Sequence, residues 1–191
     1  FFFKNYENLN DRLKNLKVNT VIHCATHYIK YHNFEDLKKL GDSNILFGNV
    51  ILENLDVMGV KKFINFSTTW ENYDGKKDNY FNLYSVYKAN FTRIINFYKK
   101  KLNNIIFLNL IISDTFGHND KRKKIISLLK NNYKKNIQTK IISKNLYLNL
   151  LNIVDINNAM NLILKHNYKS GSYLLTNNND FKIFDIIKQI N

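Results

Sequence analysis

The sequence predicts an α/β fold, a doubly wound parallel sheet with helices on both faces. Three short segments of nearly continuous apolar residues predict strands, at 18–25, 62–67 and 104–112. Two longer segments between them, 42–57 and 83–100, place apolar residues at helical spacing. Strands that are apolar on both faces and alternate with helices pair in parallel, because the connecting helices cover both sides of the sheet.

Local signals mark the ends of these elements. Gly59 lies just beyond the helix predicted at 42–57, where glycine commonly ends a helix. A loop centred on Tyr73, Asp74 and Gly75 is predicted before the second helix, because aspartate and glycine favour turns.

The last third of the chain has a weaker pattern. It predicts, in order, a helix at 123–133, strands at 140–143 and 147–154, a helix at 155–165, a strand at 172–176 and a final helix at 181–190. Asp155 is the expected N-cap of its helix, because a side-chain oxygen at that position accepts a backbone N–H bond.

The composition excludes several classes of protein. The chain has 191 residues, of which 45% are hydrophobic, enough for a packed core rather than disorder. No window contains the roughly 18 uncharged apolar residues that a membrane span needs, and the N-terminal sequence lacks a signal-peptide pattern. The single Cys24 cannot form an internal disulfide, which predicts a reducing, cytoplasmic location.

The charge is strongly basic, with 29 Lys and Arg against 15 Asp and Glu and a net charge of +14. A basic nucleic-acid-binding domain is therefore one alternative. Only three of the basic residues are arginines, Arg12, Arg93 and Arg122, whereas recognition of bases and phosphates favours arginine. The excess of Lys, Asn, Ile, Tyr and Phe indicates a compositional bias instead, so we expect no nucleic-acid partner. The densest run, 121–124, remains a candidate anion site.

The sharpest chemical signal is the pair Tyr84 and Lys88. On a helix they are four positions apart and share one face. An ammonium near a phenol favours phenolate and lowers the tyrosine pKa, which predicts a general acid/base for an alcohol or ketone. The strand before the helix ends in three hydroxyls that could bind the same oxygen: Ser67, Thr68 and Thr69. The alternative is that Tyr84 merely begins a helix and Lys88 is a surface charge.

Six segments, in order along nearly the whole chain, resemble the extended short-chain dehydrogenase/reductase family, the NAD-dependent epimerase/dehydratases of nucleotide sugars. They are VIHCAT at 21–26, NILFG at 44–48, GVKKFINFSTT at 59–69, LYSVYKA at 83–89, DTFGHND at 114–120 and IVDI at 153–156. Within the family, 69–75 and 114–124 are most similar to sugar synthases of the abequose/paratose type, which implies a place in lipopolysaccharide O-antigen biosynthesis.

The resemblance implies the catalytic roles. Tyr84 is the expected acid/base on the sugar hydroxyl, and Lys88 lowers its pKa and holds the nicotinamide ribose. Thr69 matches the catalytic hydroxyl, with Ser67 and Thr68 as alternatives in register. The implied chemistry is hydride transfer, either epimerisation or 4-keto reduction of a nucleoside-diphosphate sugar. Dehydration is less supported, because Trp70 and Glu71, not an acidic pair, follow the threonine.

The resemblance also implies the binding residues. Those expected to bind NAD or NADP are Cys24, Ala25, Thr26, Asn44, Ser67, Tyr84, Lys88 and Ser113. Those expected to bind the sugar substrate are Thr69, Asp114 and Arg122. Asn44 could equally be a helix N-cap. Asp114 stands where the family usually has asparagine.

The implied architecture is a Rossmann-like fold in two parts. Residues 1–118 are expected to form an incomplete NAD(P)-binding domain with the catalytic residues, and 119–191 a small, partial substrate-binding region with elements that return to that domain. The implied oligomer is a homodimer of the full-length protein.

One family feature is missing. None of the six glycines forms the G-x-x-G-x-x-G cluster that places a pyrophosphate at a helix N-terminus. We therefore expect an internal fragment of a longer enzyme, without the first βαβ unit and the last substrate-lid helices, that binds dinucleotide weakly by itself. An inactive fragment that keeps the fold remains an alternative function.

The histidines predict no metal site. His23 lies in an apolar strand and is expected to be a core histidine. The others, His27, His32, His118 and His166, show no ligand spacing with a second metal-binding side chain.

Overall fold

The computed structural model describes residues 3–118, 120, 124–141, 143 and 145–190. The chain divides into two compact units. The first comprises the chain up to Ile111 together with Tyr168–Leu174, and the second comprises Ile112–Asn167 and the chain from Leu175 onward.

The helices in chain order are α1 (Tyr6–Lys14), α2 (Asp36–Gly41), α3 (Phe47–Asn54), α4 (Leu83–Lys101), α5 (Ile125–Lys134), α6 (Ile153–Lys165) and α7 (Ile183–Ile190). A π-helical turn, Asp42–Leu46, joins α2 to α3, and a 3₁₀ segment, Thr69–Gly75, precedes α4. The strands are β1 (Thr20–His23), β2 (Lys62–Thr68), β3 (Ile106–Ile112), β4 (Asp114–Phe116), β5 (Tyr147–Leu148), β6 (Leu150–Asn152), β7 (Gly171–Leu175) and β8 (Phe181–Lys182).

The first unit is built on a four-stranded sheet in the order β1-β2-β3-β7. β1 and β2 are parallel, with Thr20 opposite Lys62 and His23 opposite Asn65. Phe63 on β2 is fully buried and packs with residues of α1, α3 and α4. The predicted α/β class is thus confirmed, and consecutive residues of β2 are buried, as expected of a strand covered on both faces.

The predicted helices of this unit are present with shifted ends. The helix expected at 42–57 begins earlier, at Asp36, passes through the π-helical turn and ends at Asn54. Gly59 adopts φ +74° beyond it, as a helix-ending glycine should. The helix expected at 83–100 is α4, whose first turn is fixed by a capping box between Asn82 and Ser85.

Gly48 allows α3 to approach α4 and β1 closely. A Cβ at this position would overlap the ring of Phe91, a fully buried side chain, and would lie 3.2 Å from His23 Nε2. We expect Gly48→Ala to lower the free energy of unfolding by about 1–3 kcal/mol, because a packed core resists added volume. Gly41→Ala is the matched control, since its Cβ would meet only the Tyr87 hydroxyl at 3.9 Å. Urea unfolding compares the two; equal stability of both variants would contradict the packing argument.

The second unit contains two small sheets, one with β4 and β6 in parallel and one with β5 and β8 antiparallel. Its core joins Leu129, Leu150, Ile183 and Ile186. The helix predicted at 123–133 is present as α5, and the final helix begins at Ile183 rather than at 181 because β8 precedes it.

Three predictions in this unit differ from the structure. The described residues of 140–143 are not a strand; Ile142 lies outside the described residues. Asp155 is not an N-cap: α6 begins at Ile153, and the Asn152 side chain accepts the Val154 N–H at 3.0 Å. In place of the single strand expected at 147–154, the structure has two short strands, β5 and β6, and the last two residues of that range belong to the first turn of α6.

Every helix in the described part of the chain is too short or too polar to cross a membrane.

Candidate active site

Tyr84 and Lys88 lie in the first two turns of α4, one helical turn apart. Lys88 is only 4% exposed, so the alternative that it is a surface charge is wrong. Burial lowers the pKa of Lys88 to about 8, and the nearby Glu71 carboxylate opposes that shift. Among the described residues, Lys88 Nζ has no hydrogen-bond partner, which leaves its donors available to a ligand hydroxyl.

The environment of Tyr84 differs from the expectation. Burial raises the pKa of Tyr84 above its ordinary value, and the Thr26 hydroxyl acts in the opposite direction. The expected lowering of this pKa by Lys88 is not observed: burial is the largest cause of the shift, the negative charges of Glu71 and Tyr28 add to it, and Lys88 is not among the groups that act on Tyr84. At neutral pH the side chain is therefore a phenol, the form that donates a proton.

The three strand-end hydroxyls have different surroundings. Ser67 is 2% exposed and hydrogen-bonds Glu71 Oε1 inside the protein. Thr68 caps the 3₁₀ segment, where its hydroxyl accepts the Trp70 N–H at 3.3 Å. Thr69 has no hydrogen-bond partner in the part of the chain that the structure describes. Of the three hydroxyls, that of Thr69 is therefore available to hydrogen-bond a substrate oxygen.

Glu71 belongs to the same cluster, and the sequence interpretation missed it as a site residue. Its side chain is 8% exposed, and burial raises its pKa to about 7 while Lys88 lowers it. The available signal was its position two residues after Thr69, but a single glutamate in a loop carries little information without its burial.

The loop after β1 brings the predicted cofactor residues Cys24, Ala25 and Thr26 to the carboxyl end of that strand. Asn44 fixes this loop: its Oδ1 accepts the Thr26 hydroxyl at 2.7 Å and the His27 N–H at 3.2 Å, while its Nδ2 donates to the His27 carbonyl at 3.0 Å. Asn44 lies inside the π-helical turn, so the N-cap alternative is wrong.

An aromatic cluster adjoins Tyr84. Tyr28 packs edge-on against Tyr84 with ring centroids 5.2 Å apart, and it also contacts Trp70 at 5.8 Å. Phe81 continues the cluster, 4.6 Å from Trp70 and 4.9 Å from Tyr73. Rings of this kind provide apolar faces against which a sugar or a nicotinamide can pack.

His23 is a core histidine, as predicted. It is 2% exposed, its Nδ1 lies 2.9 Å from Asn65 Oδ1, and burial lowers its pKa to about 4. Asn65 in turn donates to Asn109 at 2.7 Å, and Asn109 donates to Ser172 at 3.3 Å, so the polar groups form a chain across the sheet. In the described residues, no group of three or more His, Cys, Asp and Glu is arranged to hold a metal ion.

The remaining predicted site residues belong to the second unit. Ser113 is buried, and its hydroxyl has no hydrogen-bond partner in the described structure. Burial raises the pKa of Asp114, and Lys124 opposes this shift. The ammonium of Lys124 donates to the Thr115 carbonyl and hydroxyl, both at 2.9 Å. Arg122 lies outside the described residues.

The chain has a parallel sheet, a strand that ends in hydroxyl side chains, and a following helix that carries Tyr-x-x-x-Lys. Together these features define the short-chain dehydrogenase/reductase class. The model of the NAD dependent epimerase/dehydratase family matches residues 3–176. The chain belongs to this family.

Relatives agree with this membership. The chain is 31% identical to CDP-abequose synthase of Yersinia pseudotuberculosis over 169 residues, which cover 88% of this chain and 58% of the relative. It is 24% identical to CDP-abequose synthase of Salmonella muenchen over 158 residues, 83% of this chain and 53% of the relative. The chain therefore spans less than two thirds of the length of these relatives.

Solved structures show the same fold. One is UDP-glucuronic acid 4-epimerase from Bacillus cereus in complex with UDP-glucuronic acid and NAD, with a TM-score of 0.83, 16% identity, and coverage of 98% of this chain and 63% of that chain. Another is UDP-glucose 4-epimerase from Thermus thermophilus in complex with NAD, with a TM-score of 0.81, 16% identity, and coverage of 97% and 65%.

Proposed function

We propose that this chain carries the catalytic residues of an NAD(P)-dependent oxidoreductase that reduces or epimerises a nucleoside-diphosphate sugar at a 4-keto or 4-hydroxy carbon. The observation that carries the proposal is that Tyr84 and the buried Lys88 share one face of α4, while Thr69, which directly follows the preceding strand, has a hydroxyl with no hydrogen-bond partner among the described residues. The relatives favour a CDP-linked deoxyhexose as the substrate, since both are CDP-abequose synthases.

The residues present fit a nicotinamide cofactor. Lys88 is buried, yet its Nζ has no partner among the described residues, as expected of a group that binds ribose hydroxyls. The small side chains of Cys24, Ala25 and Thr26 at the end of β1 permit close approach of a ligand to the backbone. When bound, the cofactor supplies or accepts the hydride.

The chain's own residues supply proton transfer and orientation. Tyr84, a phenol at neutral pH, donates its proton to the ketone oxygen of the sugar in the reductive direction, and its phenolate accepts one in the oxidative direction. Thr69 donates a hydrogen bond to the same oxygen and fixes its position. The aromatic cluster of Tyr28, Trp70, Phe81 and Tyr73 offers apolar ring faces against which a sugar or a nicotinamide can pack.

The two predicted parts of the chain would have different roles. In this proposal, the part predicted as 1–118 binds the cofactor and performs the chemistry, whereas 119–191, with Arg122 as a phosphate ligand, contributes to the substrate site together with Asp114. The full-length protein would be a cytoplasmic homodimer. Light scattering and cell fractionation test those two points.

Thr69→Val tests the role of the hydroxyl. In the protein expressed from its complete gene, we expect kcat for reduction of a CDP-linked 4-keto-deoxyhexose to fall about 100-fold, the usual cost of one oxyanion-type donor. The consumption of NADH or NADPH measures the rate. Thr20→Val is the matched control, because within the described structure the Thr20 hydroxyl hydrogen-bonds only Asn19, at 3.3 Å. Equal rates for Thr69→Val and the control would exclude this role.

A further inference from the structure

Buried polar side chains cross the core of the first unit from strand to strand. His23 on β1, Asn65 on β2 and Asn109 on β3 are 2%, 0% and 3% exposed. His23 lies directly opposite Asn65 in the parallel pairing of β1 with β2. Such groups are costly unless they are hydrogen-bonded, whereas apolar replacement of both partners is often nearly neutral. Stability alone therefore does not explain why the core contains them.

The hydrogen bonds between these side chains run in one direction, from β1 to α4. His23 Nδ1 lies 2.9 Å from Asn65 Oδ1, and Asn65 Nδ2 donates to Asn109 Oδ1 at 2.7 Å. Asn109 Nδ2 donates to the Thr92 hydroxyl oxygen at 3.3 Å, and that hydroxyl donates to the Lys88 carbonyl at 3.2 Å. We refer to the four linked side chains as the polar chain: His23, Asn65, Asn109 and Thr92.

The first link requires one particular form of the His23 ring. Burial lowers the pKa of His23 to about 4, so the ring is neutral at pH 7 and has a proton on one nitrogen only. Because Asn65 Oδ1 can only accept, that proton lies on Nδ1. Nε2 is buried and has no hydrogen-bond partner among the described residues. The rings of Phe47, Phe63 and Phe91 surround the imidazole, with centroids 6.2, 6.1 and 4.9 Å away.

The last link reaches the helix that carries the proposed catalytic pair. A threonine hydroxyl often bonds the carbonyl four residues before it in a helix. Here the same oxygen also accepts a hydrogen bond from Asn109, so β3 is joined to α4 one turn after Lys88. Asn109 Nδ2 also bonds Ser172 on β7 at 3.3 Å, which holds the amide in place. Apolar contacts have no preferred direction, whereas hydrogen bonds have a narrow range of distance and angle.

We propose that the members of the polar chain are positioning residues, which hold Tyr84 and Lys88 on α4 in register with Thr69 just after β2. The catalytic role of those three residues rests on the proposed function, but the direction and connection of the polar chain do not. The polar chain acts through the backbone of α4 and not on the reacting atoms. Register matters because a misplacement of about 1 Å in a reacting group can cost about 100-fold in rate.

Thr92→Val tests the link to Lys88 in the protein expressed from its complete gene. Valine has a similar shape but no hydroxyl. We expect kcat for reduction of a CDP-linked 4-keto-deoxyhexose to fall about tenfold, while KM for the sugar changes less than about twofold. Thr92→Ser keeps the hydroxyl and should restore kcat to within about twofold of the unmodified protein. A role in packing alone predicts the reverse order, because serine removes a methyl group. Thr20→Val is the matched control here too.

Nitrogen-15 NMR of labelled histidines tests the direction of the polar chain independently of activity. His23→Phe assigns the signal, and in the unmodified protein we expect the proton of His23 on Nδ1. A proton on Nε2 overturns the proposal. Both amides would then donate toward β1, and the Thr92 hydroxyl would donate to Asn109 instead of to the Lys88 carbonyl.

A double-mutant cycle, measured by urea unfolding, tests the connection between β3 and α4. We expect Asn109→Leu and Thr92→Val to be non-additive, because both remove the same hydrogen bond. Additive effects overturn the proposal, and so does equal kcat of Thr92→Val and Thr92→Ser in an active protein. If circular dichroism shows that a variant does not fold, the proton position on His23 in the unmodified protein still decides.

The two proposals fail separately. An inactive protein with the proton on Nδ1 and a non-additive cycle would contradict only the proposed function. An active protein with the proton on Nε2 would contradict only the role of the polar chain.

Discussion

Tyr84→Phe is expected to lower kcat by about 100-fold to 10,000-fold, the range that a general acid/base contributes. The change removes the phenol oxygen and keeps the ring, whose edge-on contact with Tyr28 at 5.2 Å is preserved. The fold should therefore be unaffected, so circular dichroism and the unfolding midpoint should match those of the unmodified protein. Steady-state rates with a nucleoside-diphosphate 4-ketohexose measure the effect.

Tyr87→Phe is the matched control for this variant. Tyr87 lies on the same helix three positions later, and the proposed chemistry does not use its hydroxyl. We expect its kcat to stay within about twofold of the unmodified protein, as is usual for substitutions outside a reacting site. If Tyr84→Phe is as active as Tyr87→Phe, the chain is better explained as a member of the family that keeps the fold without this chemistry.

Lys88→Met is expected to abolish turnover and, at neutral pH, to increase stability. Each pKa unit corresponds to about 1.4 kcal/mol. The fall of the Lys88 pKa from 10.5 to about 8 therefore means that burying the ammonium costs about 3 kcal/mol at pH 7. Methionine fills a similar volume without the charge.

The pH dependence of this effect has a defined sign. Between pH 8 and 10.5 the folded protein has a neutral Lys88 while the unfolded chain is still protonated there, so the unfolded state binds more protons. Stability of the unmodified protein should thus gain a contribution as the pH rises through this range, and Lys88→Met should lack it. Urea unfolding at pH 7 and near pH 10 measures the difference, with the exposed Lys101→Met as control. The same stability difference between Lys88→Met and the unmodified protein at both pH values would contradict the assignment.

Much of the fold could be predicted because its signals are local. The apolar run of β2 and the helical spacing of α4 specify their elements directly, and the Tyr84–Lys88 spacing places both side chains on one face of the helix. The predicted ends of helices are less accurate where two nearby residues could each serve as the N-cap. Asn152 rather than Asp155 caps α6, and periodicity alone does not distinguish the two positions.

The electrostatics of the site could not be predicted, because they depend on burial that the whole fold creates. Sequence spacing indicates that Lys88 is near Tyr84, but not that desolvation raises the pKa of Tyr84. Likewise, Glu71 is one of many acidic residues in loops until the structure shows it inside the protein against Ser67. Asn44 is not a cap, and its hydrogen bonds to the loop after β1 depend on a fold that spacing alone does not reveal; its role as a cofactor ligand stays a prediction.

The central proposal is that Tyr84 donates a proton to a sugar oxygen in a reaction for which a bound nicotinamide cofactor would supply the hydride. Transfer of deuterium from 4-deuterated NADH or NADPH to a CDP-linked 4-keto-deoxyhexose, followed by mass spectrometry and NMR of the product, tests it most directly. The protein expressed from its complete gene should place one deuterium at C4 of the sugar, and Tyr84→Phe should give almost none. Labelling that is absent from the unmodified protein, or equally strong in Tyr84→Phe, would contradict the claim.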